Sequence, residues 1–294
     1  MSYTTVDTDL SDRILTITLN RPEAMNAFTV EMANELVDLF NQASMDDDVG
    51  CLIVTGNGRA FCAGMDLSVG GNVFGLDEEM EPTAEEIHKR YNDDDMVTGV
   101  RDTGGRVSLA IFECRKPVIG AINGAAVGIG ATMTLGMDIR LASEKARIGF
   151  VFGKIGVTPE ACSTWFLPRI VGMQRALEWV YSADILTAED ALSGGLVRSV
   201  HPPDELLAAA RELATKFVTN RSPVAIALAR QMMYRNSAAP SPRVAHEIDS
   251  LSMFYSSTGD GKEGVASFLE KRDPVFSSKA SAMPGFYPWW ESDQ

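Results

Sequence analysis

The sequence predicts an α/β fold closed by a helical C-terminal part. Three observations carry this. Short apolar strands alternate with segments of helical periodicity through the first 200 residues. Two glycine-rich segments each follow a strand directly. Beyond His201-Pro202-Pro203 the pattern is helical alone. In chain order, Ile14-Leu15-Thr16-Ile17-Thr18-Leu19 alternates with period two and stops at Asn20-Arg21-Pro22, the pattern of a strand. Thr29 then stands as an N-cap before Met32, Leu36, Leu39 and Phe40, which recur at helical spacing. Cys51–Thr55 reads as a buried strand ended by Gly56-Asn57-Gly58, and Pro117–Ile122 and Ile139–Ala142 read as two more.

Ser68–Arg106 differs from its surroundings. It begins rich in glycine, turns acidic through Asp77-Glu78-Glu79 and Asp93-Asp94-Asp95, and has no strand period. It is expected to be a variable insertion or lid, helical near Glu85–Tyr91, its charges mostly a solvated face. Thr187-Ala188-Glu189-Asp190 has the character of a capping box, as does Asp204 before Leu206-Leu207. Ser222-Pro223 opens another helix, with proline at its first position. The last clear helix is Lys262–Lys271, and the Pro- and Ser-rich tail through Trp289-Trp290 is expected to be loose. The expected organisation is a core over residues 1–200, with 68–106 inserted, and a helical region over 201–294.

Composition narrows the function. At 45% hydrophobic and 22% charged, the chain is an ordinary globular sequence. Its formal net charge of −14 repels nucleic acid and anionic membranes, so neither is an expected partner. An anionic small substrate would need a local gathering of Lys and Arg. The cysteines Cys51, Cys62, Cys114 and Cys162 form no CxxC pair. The histidines His88, His201 and His246 add no metal-ligand spacing, so a metal site is not expected. Cys62 reads as a small packing residue, His88 as surface, His201 as a strand end, and most of the methionines as core filler. The start Met1-Ser2-Tyr3-Thr4-Thr5 is polar and no apolar run reaches membrane-spanning length, so a reduced, cytoplasmic location is expected.

Chemistry concentrates in three places. Gly156-Val157-Thr158-Pro159-Glu160-Ala161-Cys162-Ser163 holds a lone carboxylate between a Gly/Pro turn and the apolar Trp165-Phe166-Leu167, which puts Glu160 near the start of a helix. Apolar surroundings penalise its charged form and raise its pKa toward the range of a proton-shuttling base. The plainer alternative is an ordinary first-turn glutamate favoured by the helix dipole. Ala60–Leu67 and Asn123–Ala131 are rich in small residues that let a ligand approach the backbone. Unpaired N–H groups from the two segments could converge on one developing oxyanion; close helix-on-strand packing would need the same glycines. Neither segment is a GxGxxG or GxxxxGK[ST] loop.

Taken together, these segments resemble the crotonase (enoyl-CoA hydratase/isomerase) superfamily. The resemblance runs through Leu19–Phe28, Ala60–Leu67, Asn123–Asp138, Ala188–Val200 and Glu263–Phe276. That is nearly the whole chain apart from the 68–106 insertion and the tail. It implies a ββα-spiral core, a C-terminal helical trimerisation region often assembled as a dimer of trimers, an acyl-CoA thioester substrate, and no metal or redox cofactor. It also implies an oxyanion hole from the N–H groups of Met65 and of Ile129, which follows Gly128. Ala63, Asp66, Leu67 and Gly128 would line the substrate and CoA channel, faced by Ala24 and Met25. Phe268 and Lys271 match positions that reach a neighbouring subunit's CoA, although Lys271 also reads as a solvated helix end.

Two departures shape the expected reaction. The positions of the family hydratases' two water-activating glutamates are Thr132 and Phe152 here, and neither side chain is a base at neutral pH. Glu160 instead fits the Pro-Glu-Gly/Ala-Cys/Gly-Ser pattern of the single-glutamate Δ3,Δ2-enoyl-CoA isomerases. The resemblance therefore implies a 3-enoyl-CoA to trans-2-enoyl-CoA isomerisation with Glu160 as base. A hydratase, lyase or hydrolase of unusual acyl-CoA, and a non-catalytic acyl-CoA-binding protein, are the alternatives.

Overall fold

A hairpin opens the chain. β1 (Val6–Ser11) pairs antiparallel with β2 (Ile14–Leu19), from Val6 opposite Leu19 to Ser11 opposite Ile14. Asp12 and Arg13 between them both take positive φ, as a tight two-residue turn matched to strand twist requires. This computed structural model describes residues 3–68, 70 and 72–291; Met1 and Ser2 of the polar start, and Val69 and Gly71 of the insertion, lie outside them.

After the hairpin come α1 (Val30–Met45), β3 (Cys51–Gly56) and β4 (Ala60–Cys62). Thr29 caps α1 by accepting the Met32 N–H at 3.1 Å. The insertion carries α2 (Ala84–Lys89), closed by a Thr83–Glu86 capping box, and α3 (Asp94–Gly99). Its last residues already belong to α4 (Thr103–Glu113). There follow β5 (Val118–Ile122), β6 (Ala125–Val127), α5 (Ile129–Thr132), β7 (Ile139–Ser143) and β8 (Arg147–Gly149). Next are α6 (Ser163–Val171), α7 (Met173–Ser182), β9 (Ile185–Thr187), α8 (Ala188–Ser193) and β10 (Ser199–His201). Four helices finish the chain: α9 (Leu206–Val218), α10 (Pro223–Asn236), α11 (Pro242–Thr258) and α12 (Asp260–Glu270).

The strands form two sheets, ordered β1-β2-β3-β5-β7-β10 and β4-β6-β8-β9. Every pairing in the first sheet after the hairpin is parallel, and in the second only β8–β9 is antiparallel. Parallel strands need both faces covered. On one face Ile17, Leu19, Leu52 and Val54 meet Met32, Leu36 and Phe40 of α1 in the main core. On the other, Ile14, Ile53, Ile119 and Leu141 pack under Leu206, Ala210 and Leu213 of α9. Two expectations change. Asp204 does not cap α9, because the chain turns once more and Glu205, without a side-chain cap bond, takes the capping position. Glu160 lies in the turn before α6, which begins only at Ser163. The tail makes contacts: Arg115 donates to the carbonyls of Ala280 and Ser281, and Arg235 stacks 3.2 Å from the Trp290 ring centre. No helix among the described residues is long and apolar enough to cross a membrane.

Arg230 fastens α10 to the core. It is 7% exposed, donates to Asp138 at 2.9 Å, and donates to the carbonyls of Ile111, Phe112 and Cys114 at the end of α4. Removing one member of a buried ion pair strands its partner and commonly costs about 3–5 kcal/mol. Arg230→Ala is therefore expected to lower unfolding free energy by about that amount in denaturant titration. A loss below about 1 kcal/mol would show that α10 is held by other contacts.

Candidate active site

The two glycine-rich segments meet because glycine allows it. Gly130 at the start of α5 lies against the Cys62 carbonyl, and Gly124 before β6 lies against Arg59; a Cβ at either would overlap backbone. Gly64, with φ of +110°, brings the first segment onto the Val127 carbonyl. Phe28 and Met65 form a parallel bridge in which the Phe28 N–H donates to Gly64 and the Asp66 N–H donates to Phe28. In such a bridge the Met65 N–H points away from Phe28. Ile129 is the first residue of α5, so its N–H precedes the first helical hydrogen bond. Gly128 before it has φ of +54° and ψ of −123°, a conformation that suits glycine.

Glu160 reaches this region from the turn before α6. Thr132 Oγ1 lies 2.6 Å from Glu160 Oε1 and 3.2 Å from the Gly128 carbonyl oxygen. The hydroxyl has one proton and can accept another. It donates to an ionised Glu160, or it accepts from a protonated Glu160 and donates to Gly128. On α4, Gly104 leaves the space in which the carboxylate sits. A side chain there would overlap both Glu160 Oε2 and Ile129 Cδ1, which places the carboxylate beside Ile129. Asp102, the N-cap of α4, lies near enough to the Glu160 carboxyl for its charge to act on it. Burial, with Asp102's charge a lesser contributor, pushes the Glu160 carboxyl up to about 8, against the opposing effect of the Thr132 donor. Trp165, in the first turns of α6, packs on Phe112 and Phe166 under Arg169.

The other expected positions separate into two groups. Ala24 and Met25 end a short 3-10 turn facing the first segment, where the Ala63 N–H donates to Met25 at 3.1 Å. Asp66 is tied by Arg21 at 2.9 Å and by Ser68, which draw its carboxyl down to about 2. Leu67 beside it is 57% exposed. Phe268 and Lys271 lie elsewhere: Phe268 is 82% exposed on α12, and Lys271 caps that helix in the left-handed region. Thr132 and Phe152 are both buried, and Thr132 serves Glu160. Cys62 is fully buried and its thiol is pushed up to about 12, which suits packing. Asp102 and Gly104 are the neighbours that inspection of the sequence missed, although an Asp before Thr-Gly-Gly carries an N-cap signal.

Residues 9–279 match the enoyl-CoA hydratase/isomerase family. The enoyl-CoA hydratase ACTT3 of Alternaria alternata is 38% identical over 283 residues, covering 95% of this chain and 88% of that protein. The 1,2-epoxyphenylacetyl-CoA isomerase of Escherichia coli (strain K12) is 33% identical over 269 residues, covering 90% and 95%. Among solved structures, a probable enoyl-CoA hydratase/isomerase from Mycobacterium abscessus superposes with a TM-score of 0.80 at 28% identity, covering 93% of this chain and 99% of that one.

Replacing Thr132 by valine keeps its shape and removes the hydroxyl. Because that hydroxyl favours the ionised carboxylate, the Glu160 titration midpoint, followed by carboxyl-carbon NMR, is expected to move to higher pH. A midpoint that stayed or fell would contradict the assigned role of Thr132.

Proposed function

We propose a positional isomerisation for this chain, which belongs to the enoyl-CoA hydratase/isomerase (crotonase) family of enzymes. The substrate is a 3-enoyl-CoA and the product its trans-2-enoyl isomer. The Met65 and Ile129 N–H groups bind the thioester oxygen, and each such donor contributes about 3–4 kcal/mol to stabilising the developing enolate. Glu160 removes a proton from C2, leaving a dienolate, and returns a proton to C4. The C3–C4 π bond is lost as the C2–C3 double bond forms, so atoms and charge balance. One carboxyl serves both carbons when they lie on the same face of the bound chain. The observation that carries this reading is the half-buried Glu160 carboxyl where the two glycine-rich segments meet, with Thr132 and Phe152 in the hydratase positions.

Ala24, Met25, Ala63, Asp66, Leu67 and Gly128 form the CoA-side channel in this reading. Phe268 and Lys271, exposed here, act across an interface of a homotrimer or dimer of trimers. Residues 1–200 are its catalytic core and 201–294 its assembly region, in a cytoplasmic enzyme. A second reading, hydration, draws on the hydratase names of relatives such as ACTT3 and on Asp102 as a second carboxylate beside Glu160. Asp102 Oδ1, however, already accepts the N–H groups of Gly105 and Ala161.

Purified protein and Glu160→Gln, assayed with 3-hexenoyl-CoA and crotonyl-CoA, separate the two. The expected result is isomerisation by the native enzyme, reduced at least 100-fold in the variant, with little hydration of crotonyl-CoA. A base must be ionised to act, so native kcat/KM is expected to rise with pH and level off above about pH 8. Hydration that survives in Glu160→Gln would overturn the isomerase reading.

A further inference from the structure

A second acidic side chain is built into the turn that carries Glu160, and the proposed proton transfer makes no use of it. Asp102 Oδ1 accepts the Ala161 N–H at 3.0 Å, across 59 residues of sequence. The same oxygen accepts the Gly105 N–H in the first turn of α4. Ala161 directly follows Glu160 and is fully buried. Ala161 and Cys162 both occupy the left-handed region, with φ of +57° and +56°. Two successive non-glycine residues in that region are strained and persist only where surrounding contacts hold them. The Ser163 N–H closes the turn on the Glu160 carbonyl at 3.0 Å. Asp102 is thus a side-chain anchor between the rigid end of α4 and a strained turn. Its charge also acts on the carboxyl which that turn presents.

We propose that Asp102 is a positioning residue for Glu160: it braces the Ala161–Cys162 turn that presents the carboxyl, and its charge adds to the effect of burial on that group. This rests on Glu160 being the proton carrier of the reaction. The titratable groups facing Glu160 come from three elements. Asp102 faces it from α4, Cys62 from the end of β4, and Cys162 from the same turn. Burial pushes both thiols up, so they stay neutral across the working range and leave Asp102 as the acidic neighbour. Arg101, next to Asp102, acts on Cys162 from beyond it. The brace and the charge separate chemically. Asparagine keeps an oxygen to accept the two N–H groups and lacks the charge, whereas alanine lacks both.

The test compares the pH dependence of 3-hexenoyl-CoA isomerisation in the native enzyme, Asp102→Asn, Asp102→Ala and Glu160→Gln. Asp102→Asn is expected to stay active with the midpoint of its kcat/KM profile moved down by about half a pH unit or more. Asp102→Ala is expected to lose about tenfold or more in kcat with a much smaller change in KM, because the turn no longer holds the base in place. A midpoint unmoved in Asp102→Asn would overturn the charge role, and native kcat in Asp102→Ala would overturn the brace. A folded but inactive Asp102→Asn would overturn positioning in favour of direct chemistry. If Glu160→Gln turned over normally, the isomerase reading itself would fail. If Glu160→Gln were inactive and both Asp102 variants behaved as native, this inference alone would fail.

Discussion

The site depends on one costly act, the withdrawal of the Glu160 carboxyl from water into a half-buried position beside Thr132 and Gly104. A carboxylate removed from water favours its protonated form, and here the first cause of its raised pKa is burial. The native state therefore holds a proton that the unfolded chain releases between about pH 4.5 and about pH 8. Folding stability falls as pH rises through that window, which is the opposite sign to the usual salt-bridged carboxylate. What the fold gains is a group that can both take and return a proton near neutral pH. Thr132 suits this because its hydroxyl can bond either state, and Gly104 suits it because any side chain would fill the space.

The frame around Glu160 is made of close approaches rather than of strong bonds. Gly124 and Gly130 let the second glycine-rich segment rest on Arg59 and Cys62, so that β4 and β6 can lie side by side. Gly64 turns the first segment so that Met65 bridges Phe28 and its N–H faces away from that strand. The apolar packing of both faces of the parallel sheet then holds these loops at fixed separation. Polar anchors work at the edges: Arg21 on Asp66, Arg230 on Asp138 and Asp102 on Ala161 each tie one element to another distant in sequence.

Much of this was legible in the residues themselves. Ile14–Leu19 and Cys51–Thr55 declare themselves by period and apolarity, Thr29 and Ser222-Pro223 by cap chemistry, and the two glycine segments by following strands. The three-residue strands β4, β6, β8 and β9 have no signature in the sequence, since three residues show no period and their pairing is decided by the sheet, whereas β10 ends at His201 as the sequence suggests. The sequence puts Glu160 near the start of a helix because nothing local announces that Ala161 and Cys162 adopt positive φ, which non-glycine residues rarely do. Asp102 escaped notice for a related reason. It sits at the end of an acidic stretch that reads as a solvated face, and its partner is a backbone N–H 59 residues away.

In the proposed reaction the half-buried Glu160 carboxyl alone carries the proton from C2 to C4. Isomerisation of 3-hexenoyl-CoA deuterated at C2, followed through early turnover by mass spectrometry and NMR, tests it most directly. A substantial share of the product should carry deuterium at C4, because a carboxyl shielded from water holds the abstracted label long enough to return it. Product formed with solvent hydrogen alone at C4 would contradict the account and point to two separate groups, or to open exchange with water.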